Sequence, residues 1–381
     1  MTKPVVVLGA TGSIGLQTLE VAAAHEMPVV AIAARTPSAE LAELAKKHPD
    51  AIVVATGGSA DEREEFASTV GRRARFGSEA MLEAAAIPGS TVVNGIVGAA
   101  GLRASISALD AGNRLALANK ESLVAGGPVV VRALENGGGE LIPVDSEHSA
   151  LYQCLEGESL DDVDRLVLTA SGGPFRGKQR DELADVTPDE ALEHPTWDMG
   201  RRITVDSATL FNKGLEVIEA HFLFGIPYDR IDVVVHPQSV LHSAVAFVDG
   251  SWKGHFGHAD MRIPIQYALT APARAPSPPA EFSLAGLDLT FEEPDRATFR
   301  ALDIAYEAGS TGGSAPAVMN AADEVAVEAF LSGRLGFLGI TDLVGQTIDQ
   351  VDWRELDSVE DVVQVDAEAR GLAAGLLSGA C

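Results

Sequence analysis

The sequence predicts an α/β protein: a doubly wound parallel sheet comes first, an α+β region follows, and a small bundle of helices comes last. Three observations indicate this order. From residue 4 to 145, short β-branched runs alternate with amphipathic stretches, and parallel strands need such crossover connections. Asp249-Gly250 separates two strand-like runs and predicts a two-residue β-hairpin. From Arg296 onward, the apolar spacing is helical.

The strands of the N-terminal sheet are predicted from short runs of Val, Ile, Leu and Ala. After the second run, Ser38 is the predicted N-cap of a helix over Ala39–His48, because Leu41, Leu44 and Ala45 form an apolar stripe. The six predicted strands are Val5–Gly9, Val29–Ala33, Ala51–Ala55, Thr91–Ile96, Arg114–Ala118 and Glu140–Val144.

After Asp145 the loops become longer and richer in Gly, Pro and His, which predicts a second domain. Residues 271–280 read APARAPSPPA, a linker too proline-rich for a helix or a central strand. A helix is predicted over Ala317–Leu331, and Gly333 ends it. Further strands are predicted over Arg165–Thr169, Asp232–His236, Val240–Val248 and Ser251–Phe256. The predicted divisions are domains over 1–145 and 146–270, a linker over 271–295 and a helical domain over 296–381.

The charge balance limits the classes of partner. The chain has 55 Asp and Glu residues against 28 Lys and Arg residues, a formal net charge of -27. Such an excess disfavours duplex DNA, RNA and anionic lipid. The two cysteines, Cys154 and Cys381, lie far apart, no secretory signal pattern is present, and no apolar stretch reaches the roughly 20 residues that span a bilayer. We therefore expect a soluble, cytoplasmic protein without nucleic-acid or membrane partners.

A glycine loop follows the first predicted strand. Gly9, Gly12 and Gly15 are spaced G-x-x-G-x-x-G between a strand and a helix, which favours a Rossmann-like dinucleotide site, although a tight turn without ligand has the same pattern. After the second strand, Arg35 and Thr36 stand where an NAD site needs an acidic residue. This difference favours the 2′-phosphate of NADP, unless Arg35 is only a solvated surface residue.

Two carboxylates follow the last strand of the predicted sheet. Asp145 and Glu147 would project to the same side of an extended chain, and a divalent cation, Mg²⁺ or Mn²⁺, would relieve their repulsion. The other interpretation is a helix N-terminus in which Ser146 is the cap and Glu147 lies in the first turn. The metal site and the helix N-terminus are compatible, so both interpretations can be correct.

A polar helix face is predicted in residues 206–216. If Asp206 or Ser207 caps this helix, Asn212 stands four residues and Lys213 three residues before Glu216. An amide, an ammonium and a carboxylate suit a phosphate and a metal ion, whereas a plain solvated stripe is the alternative.

Two loops also have the composition of ligand sites. Ser171 is the first residue of a Ser-Gly-Gly-Pro-Phe segment. The backbone amides of this segment could hold an anion, and the alternative is an ordinary turn. His194, Trp197 and Met199 share one irregular segment, which indicates a lid unless His194 is structural. For four further histidines, core or surface roles are favoured, because no carboxylate spacing groups them into a metal site; they are His236, His242, His255 and His258.

Together these motifs resemble one family, the 1-deoxy-D-xylulose 5-phosphate reductoisomerases, over nearly the whole chain. The resemblance implies an NADP-binding domain over 1–145, a catalytic domain over 146–270 with a mobile lid near 194–202, and a homodimer. The matching segments are GATGSIG at 9–15, GIVGAAGL at 95–102, LANKESLV at 117–124, PVDSEH at 143–148, SGGPF at 171–175, HPTWDMG at 194–200, VDSATLFNKGLEVIEA at 205–220, HPQSVLHS at 236–243 and NAADE at 320–324.

The resemblance also implies residue roles, cofactors and a reaction. NADPH and Mg²⁺ or Mn²⁺ would serve the conversion of 1-deoxy-D-xylulose 5-phosphate, a small sugar phosphate, to 2-C-methyl-D-erythritol 4-phosphate in the non-mevalonate isoprenoid pathway. Implied NADPH contacts are Thr11, Gly12, Ser13, Ile14, Ala34, Arg35, Thr36, Asn119, Glu121 and Gly200. Implied metal ligands are Asp145, Glu147 and Glu216. Implied substrate residues are Lys120, Ser146, Glu147, Ser171, His194, Ser207, Asn212, Lys213 and Glu216; among these residues, Lys120, Asp145, Glu147, His194 and Glu216 are the implied catalytic ones.

Two residues of the sequence depart from the family pattern. Ala34 replaces a typical glycine after the second strand, and Thr196 replaces a typical asparagine before the lid tryptophan.

An NADP-dependent semialdehyde dehydrogenase would share the glycine loop but needs a nucleophilic cysteine, and Cys154 lies in a helical pattern typical of a buried core thiol. A non-catalytic NADP-sensing protein would not need three metal-binding carboxylates.

Overall fold

The structure is a computed structural model, and it describes residues 3–98, 101–197, 199–276 and 282–379. These residues form two compact units. The first is drawn from residues 1–122, 130–149 and 260–278, and the second from residues 123–129, 150–259 and 279–381. The division differs from the predicted one, because residues 260–278 group with the N-terminal sheet and the C-terminal helices group with the central region. Part of the predicted linker, 277–281, lies outside the described residues.

The predicted strands and the predicted helices over 39–48 and 317–331 agree with the structure to within two residues. In chain order the helices and strands are β1 (Val5–Leu8), α1 (Ser13–Ala24), β2 (Val29–Ala34), α2 (Ala39–Lys47), β3 (Ile52–Ala55), α3 (Ala60–Val70), β4 (Ala74–Phe76), α4 (Ser78–Ala85), β5 (Thr91–Asn94), α5 (Leu102–Asp110), β6 (Arg114–Leu117), α6 (Lys120–Gly137), β7 (Glu140–Pro143), α7 (Ser146–Leu155), β8 (Val163–Ala170), α8 (Pro188–Ala191), α9 (Arg201–Thr209), α10 (Phe211–Phe224), β9 (Ile231–Val235), β10 (Leu241–Phe247), β11 (Trp252–Phe256), α11 (Arg262–Thr270), α12 (Ala301–Thr311), α13 (Ala315–Leu331), α14 (Phe337–Ile348) and α15 (Val359–Gly379).

The first unit contains a seven-stranded sheet in the order β4-β3-β2-β1-β5-β6-β7. All of its strands pair in parallel, as the alternating pattern predicts. The order reverses beside β1, so the loops after β1 and β5 flank the switch point where open sheets bind ligands. β4 was not predicted, because three residues of alternating exposure give too short a signal. The strand that precedes Asp145 is therefore the seventh, not the sixth.

The second unit contains a four-stranded sheet in the order β11-β10-β8-β9. β8 and β9 are parallel, whereas β10 is antiparallel to β8 and β11, so the predicted antiparallel component is confirmed. Asp249 and Gly250 lie in the turn between β10 and β11, where Asp249 accepts a hydrogen bond from Ser251 N. The loop is longer than the predicted two residues, because Phe247 N donates to Ser251 O at 2.9 Å and residues 248–250 lie between them. Helices α9, α10 and α12 to α14 share one apolar core that includes Phe211 and Phe330. The C-terminal helices therefore complete the central unit and do not form a separate one.

The predicted fold class is confirmed: a parallel doubly wound sheet, an α+β region and C-terminal helices occur in that order. Among the described residues, none of the helices combines the length and the apolar character needed to cross a membrane.

Candidate active site

The glycine loop joins β1 to α1 in the first unit. Gly9 has φ +83°, and a Cβ there would lie 2.7 Å from Gly95 O, so only glycine fits this turn. Gly12 is the N-cap of α1, and no side chain caps the helix there. A Cβ on Gly15 would overlap Gly9 O, which shows how closely α1 packs on the loop. Gly12 N donates to Gly9 O at 2.9 Å, whereas the exposed Ser13 begins α1, where the first backbone N–H groups lack intrahelical partners and suit an anion.

The end of β2 carries the residues that the sequence assigns to the cofactor's 2′-phosphate. Ala34 is buried as the last residue of β2, whereas Arg35 and Thr36 directly after it are exposed. Arg35 O accepts a hydrogen bond from Gly57 N at 2.6 Å, which ties this loop to the loop after β3. The backbone of Arg35 is thus fixed at the carboxyl edge of the sheet, where nucleotides bind.

The N-terminus of α6 lies after β6 and is built by Asn119. The Asn119 amide donates to Ile96 O, to Gly98 O at 2.8 Å and to Glu121 Oε2 at 2.9 Å. Its oxygen accepts from Ser122 N at 3.0 Å and caps the helix. Asn119 and Glu121 are buried, so their polar atoms are largely shielded from solvent. The hydrogen bonds of Asn119 hold the loop after β5 in place.

The two carboxylates after β7 lie at the start of α7, so the predicted helix N-terminus is confirmed. The predicted cap at Ser146 is wrong, because α7 already begins at Ser146 and the side chain that accepts from the first turn is that of Asp145. Asp145 Oδ1 accepts a hydrogen bond from Glu147 N at 3.2 Å, and Ser146 Oγ donates to Glu147 Oε2 at 2.8 Å. Lys120 Nζ donates to Asp145 Oδ2 at 2.9 Å. His148 Nδ1 lies 3.4 Å from Asp145 Oδ1. Asp145 and Glu147 are only partly buried, so their oxygens can reach a ligand.

In the second unit the predicted cap at Asp206 or Ser207 is wrong. Both residues lie inside α9, and the helix break falls at Leu210, which has φ +68° and is buried. Thr209 Oγ1 accepts from Phe211 N at 3.3 Å and starts α10. A left-handed leucine costs free energy that the surrounding core must supply. The break brings the end of α9, with Ser207, next to the first turn of α10.

The predicted polar face of α10 is confirmed at Glu216. Asn212 Nδ2 donates to Glu216 Oε1 at 2.6 Å, and Lys213 Nζ forms a short ion pair with Glu216 Oε2. Lys213 and Glu216 are both buried, with side-chain exposures of 5% and 1%. A buried charge is tolerated only when it is paired, so this face is not a solvated stripe.

The loop after β8 joins the lid segment through a Ser–His pair. His194 Nδ1 accepts hydrogen bonds from the N–H groups of Thr196 at 3.1 Å and Trp197 at 2.9 Å, so the ring proton is on Nε2. Nε2–H donates to Ser171 Oγ at 3.0 Å, and Gly173 N–H donates to the same oxygen at 3.2 Å. Burial lowers the pKa of His194 and favours this neutral form. Ser171 therefore directs its own hydroxyl proton toward another acceptor.

A cavity of about 420 Å³ opens beside the Ser171 loop. Its lining includes Ser171, Phe175, Lys178 and Pro195. A Cβ on Gly173 would lie 2.7 Å from Ser207 O, so this loop packs directly on α9. Of the predicted lid, Asp198 lies outside the described residues, and Gly200 is the exposed N-cap of α9. Ser171, His194 and Ser207 thus belong to one neighbourhood of the second unit.

The remaining histidines and Cys154 have structural surroundings. His236 is buried and donates from Nδ1 to Thr290 O at 2.9 Å, and burial lowers the pKa of His242. Core positions are thus confirmed for these two histidines. Cys154 is buried in an apolar cluster with Leu151, as the helical pattern predicts.

One buried histidine beside Asp145 was not singled out by the sequence reasoning. His148 is fully buried, and its ring faces Asp145. The available signal was its position three residues after Asp145, which places both side chains on one face of a helix N-terminus.

The doubly wound parallel sheet with a glycine loop at its switch point defines a class, the dinucleotide-dependent oxidoreductases. Comparisons identify the family. Its models match residues 5–127 (1-deoxy-D-xylulose 5-phosphate reductoisomerase), 141–224 (its C-terminal domain) and 256–372 (DXP reductoisomerase C-terminal domain). The chain belongs to the 1-deoxy-D-xylulose 5-phosphate reductoisomerase family.

Relatives support this membership over the full length. The chain is 45% identical to the 1-deoxy-D-xylulose 5-phosphate reductoisomerase of Geobacillus sp. strain WCH70, over 98% of this chain and 100% of that protein. It is 46% identical to the enzyme of the same name from Burkholderia multivorans, over 100% of this chain and 98% of that protein. The Zymomonas mobilis reductoisomerase in complex with NADPH superposes with a TM-score of 0.92 at 41% identity, covering 99% of both chains. A DOX-P reductoisomerase in complex with NADPH, fosmidomycin and magnesium superposes with a TM-score of 0.90 at 34% sequence identity, and the match covers 99% of this chain and 98% of that chain.

The predicted reductoisomerase function is therefore confirmed at the level of the family. The semialdehyde dehydrogenase and the non-catalytic sensor are not favoured. The roles of individual residues remain predictions, and we develop them below.

Proposed function

We propose that this chain converts 1-deoxy-D-xylulose 5-phosphate to 2-C-methyl-D-erythritol 4-phosphate, using NADPH and one divalent cation. The observation that carries this proposal is the buried Lys213–Glu216 pair with Asn212, which combines an anion-binding ammonium with a metal-binding carboxylate on one helix face. Overall, the C3–C4 bond of the substrate breaks, a C2–C4 bond forms, and the resulting aldehyde is reduced by hydride from NADPH.

NADPH is proposed to bind along the first unit's sheet edge. The uncapped amides at the start of α1 suit the pyrophosphate, and Arg35 suits the 2′-phosphate. The remaining proposed contacts are Thr11, Gly12, Ser13, Ile14, Ala34, Thr36, Asn119, Glu121 and Gly200.

The proposed metal ligands are Asp145, Glu147 and Glu216. Each offers one carboxylate oxygen, and a donor set of hard oxygens without cysteine fits Mg²⁺ or Mn²⁺. A bound cation supplies Lewis-acid polarisation of the substrate carbonyl. Lys120, hydrogen-bonded to Asp145, orients that carboxylate and adds positive charge where an oxyanion must be stabilised.

The substrate phosphate is proposed to bind in the second unit. Ser171 has a hydroxyl proton to donate, because its oxygen already accepts from His194 and Gly173. Ser207, Asn212 and Lys213 supply the other donors, while Ser146 and Glu147 belong to the reacting end. Fixing the phosphate at the remote end positions the reacting carbons, and the segment near 194–202 would exclude water as a lid.

The metal assignment is tested with Glu216→Gln, which keeps the shape but removes the charge. We expect turnover of NADPH with 1-deoxy-D-xylulose 5-phosphate and Mg²⁺ to fall by about 100-fold or more. Calorimetric Mn²⁺ binding should weaken in parallel, while circular dichroism stays unchanged. Glu307→Gln, an exposed carboxylate of α12, is the matched control. Unchanged turnover and unchanged Mn²⁺ binding would refute the assignment.

A homodimer and a cytoplasmic location are also proposed. β11 is an edge strand, and Trp252 and Phe256 on it are 61% and 41% exposed. Such an edge favours pairing with a second copy. Two cysteines in 381 residues suit a reducing compartment. Light scattering of the purified protein tests the dimer: a monomer mass at micromolar concentration would contradict it.

A further inference from the structure

A buried ionic network joins α9 to two C-terminal helices, α13 and α15. Arg202 is at its centre. Arg202 Nη1 lies 2.9 Å from Glu324 Oε1, Nη2 lies 3.4 Å from Asp323 Oδ2, and Nε lies 3.4 Å from Asp206 Oδ2. The charged and polar groups that face one another are Arg202 and Asp206 of α9, Asn320, Asp323 and Glu324 of α13, and Asp366 and Arg370 of α15.

The charges in this network do not balance when every group is ionised. Four carboxylates face two guanidinium groups, and the side chains of Asp206 and Asp323 are only 1% and 0% exposed. Asp206 Oδ2 and Asp323 Oδ2 each lie 3.4 Å from a nitrogen of Arg202, so these two buried carboxyl groups share one guanidinium. A proton on one of them removes the negative charge that this guanidinium does not balance. Burial raises the pKa of Asp323 to about 6, although the charge of Arg202 acts in the opposite direction.

The network is placed where it can influence substrate binding. α9 begins at Arg201, directly after the proposed lid, and Arg202 lies in its first turn. Ser207, a proposed phosphate ligand, directly follows Asp206, and the Ser171 loop packs on Ser207. Any shift of α9 against α13 therefore moves both the phosphate ligand and the end of the lid.

We infer that Asp206 and Asp323 hold one proton between them and, with Arg202, act as positioning residues for Ser207. This inference rests on the proposed function. Loss of the shared proton places a second negative charge in a buried site, which weakens the attachment of α9 to α13. Substrate affinity then falls as the pair ionises, whereas the chemical step is affected less.

The test compares the wild type with Asp323→Asn between pH 5.5 and 8.5. The asparagine amide can donate to Asp206 without a titrating proton. We expect the ratio of kcat/KM, variant over wild type, to rise by about tenfold across this range, mainly through KM for the sugar phosphate. Because the substrate phosphate and His194 titrate in both proteins, their effects cancel in the ratio. Asp303→Asn, an exposed ion-pair residue of α12, should give a flat ratio.

A flat ratio for Asp323→Asn would overturn the inference, and so would a change in thermal stability alone. A wild type that does not consume NADPH with this substrate would instead refute the proposed function. The shared proton has its own readout, an infrared carbonyl band of a protonated carboxyl group that titrates in the wild type and is absent from Asp323→Asn. If that variant does not fold, Arg202→Lys replaces it: we expect a raised KM with kcat nearly unchanged, and an unchanged KM would overturn the inference.

Discussion

The buried carboxyl group of Asp323 predicts an unusual dependence of stability on pH. Its pKa is about 6 in the folded protein, against an ordinary value of 3.8. Below pH 3.8 the group is protonated in both states and contributes nothing. Between the two values the folded state holds the proton more tightly, so the free energy of unfolding falls as pH rises. The difference of about 2 pKa units corresponds to a destabilisation of about 3 kcal/mol once pH exceeds 6.

The variant Asp323→Asn removes this penalty. We expect its stability relative to the wild type to increase between pH 5 and pH 7.5, because only part of the penalty is already present at pH 5. Urea unfolding at fixed ionic strength measures the midpoint, and an unchanged slope shows that the compactness of both states is retained. Asp303→Asn should show no such trend. If the free energy of unfolding of the wild type instead increased relative to that of the variant as pH rises, the reasoning would be refuted.

Three further predictions concern the cofactor, the thiol and the edge strand. Arg35→Gln should raise KM for NADPH by about tenfold and leave kinetics with NADH unchanged, because only NADPH has a 2′-phosphate; equal effects on both would contradict the assignment. Cys154→Ala should lose about 1 kcal/mol of stability in thermal unfolding but keep full turnover, since the thiol only packs in the core; lost turnover with an intact fold would revive a nucleophilic role. Trp252→Lys should shift the light-scattering mass toward monomer by adding charge to the exposed edge, and an unaltered dimer would exclude β11 from the interface.

Local spacing predicted much of the fold and the site. The glycine loop and the Asn212, Lys213 and Glu216 face are each recognised from residues at most six positions apart, so the sequence reveals them directly. The break at Leu210 was missed because a left-handed leucine has no glycine or asparagine signal and is held by the surrounding core. The Arg202–Asp323 contact joins residues 121 positions apart, and no local pattern indicates such a pairing.

The excess of negative charge also takes on a more specific meaning. A net charge of -27 argues against polyanionic partners, yet NADPH and a sugar phosphate are anionic. In the proposed sites, a divalent cation together with Lys120 and Lys213 would offset the three carboxylates, and Arg35 lies at the end of β2 near the proposed cofactor. The acid excess is thus a property of the rest of the molecule.

The central claim is tested most directly by the oxidation of NADPH by the wild-type protein with 1-deoxy-D-xylulose 5-phosphate. The account predicts steady turnover with Mg²⁺ or Mn²⁺, its loss on adding a chelator, its return when the cation is restored, and 2-C-methyl-D-erythritol 4-phosphate as the product. NADPH consumption that continues undiminished in the chelator, or no consumption with both cations supplied, would contradict it.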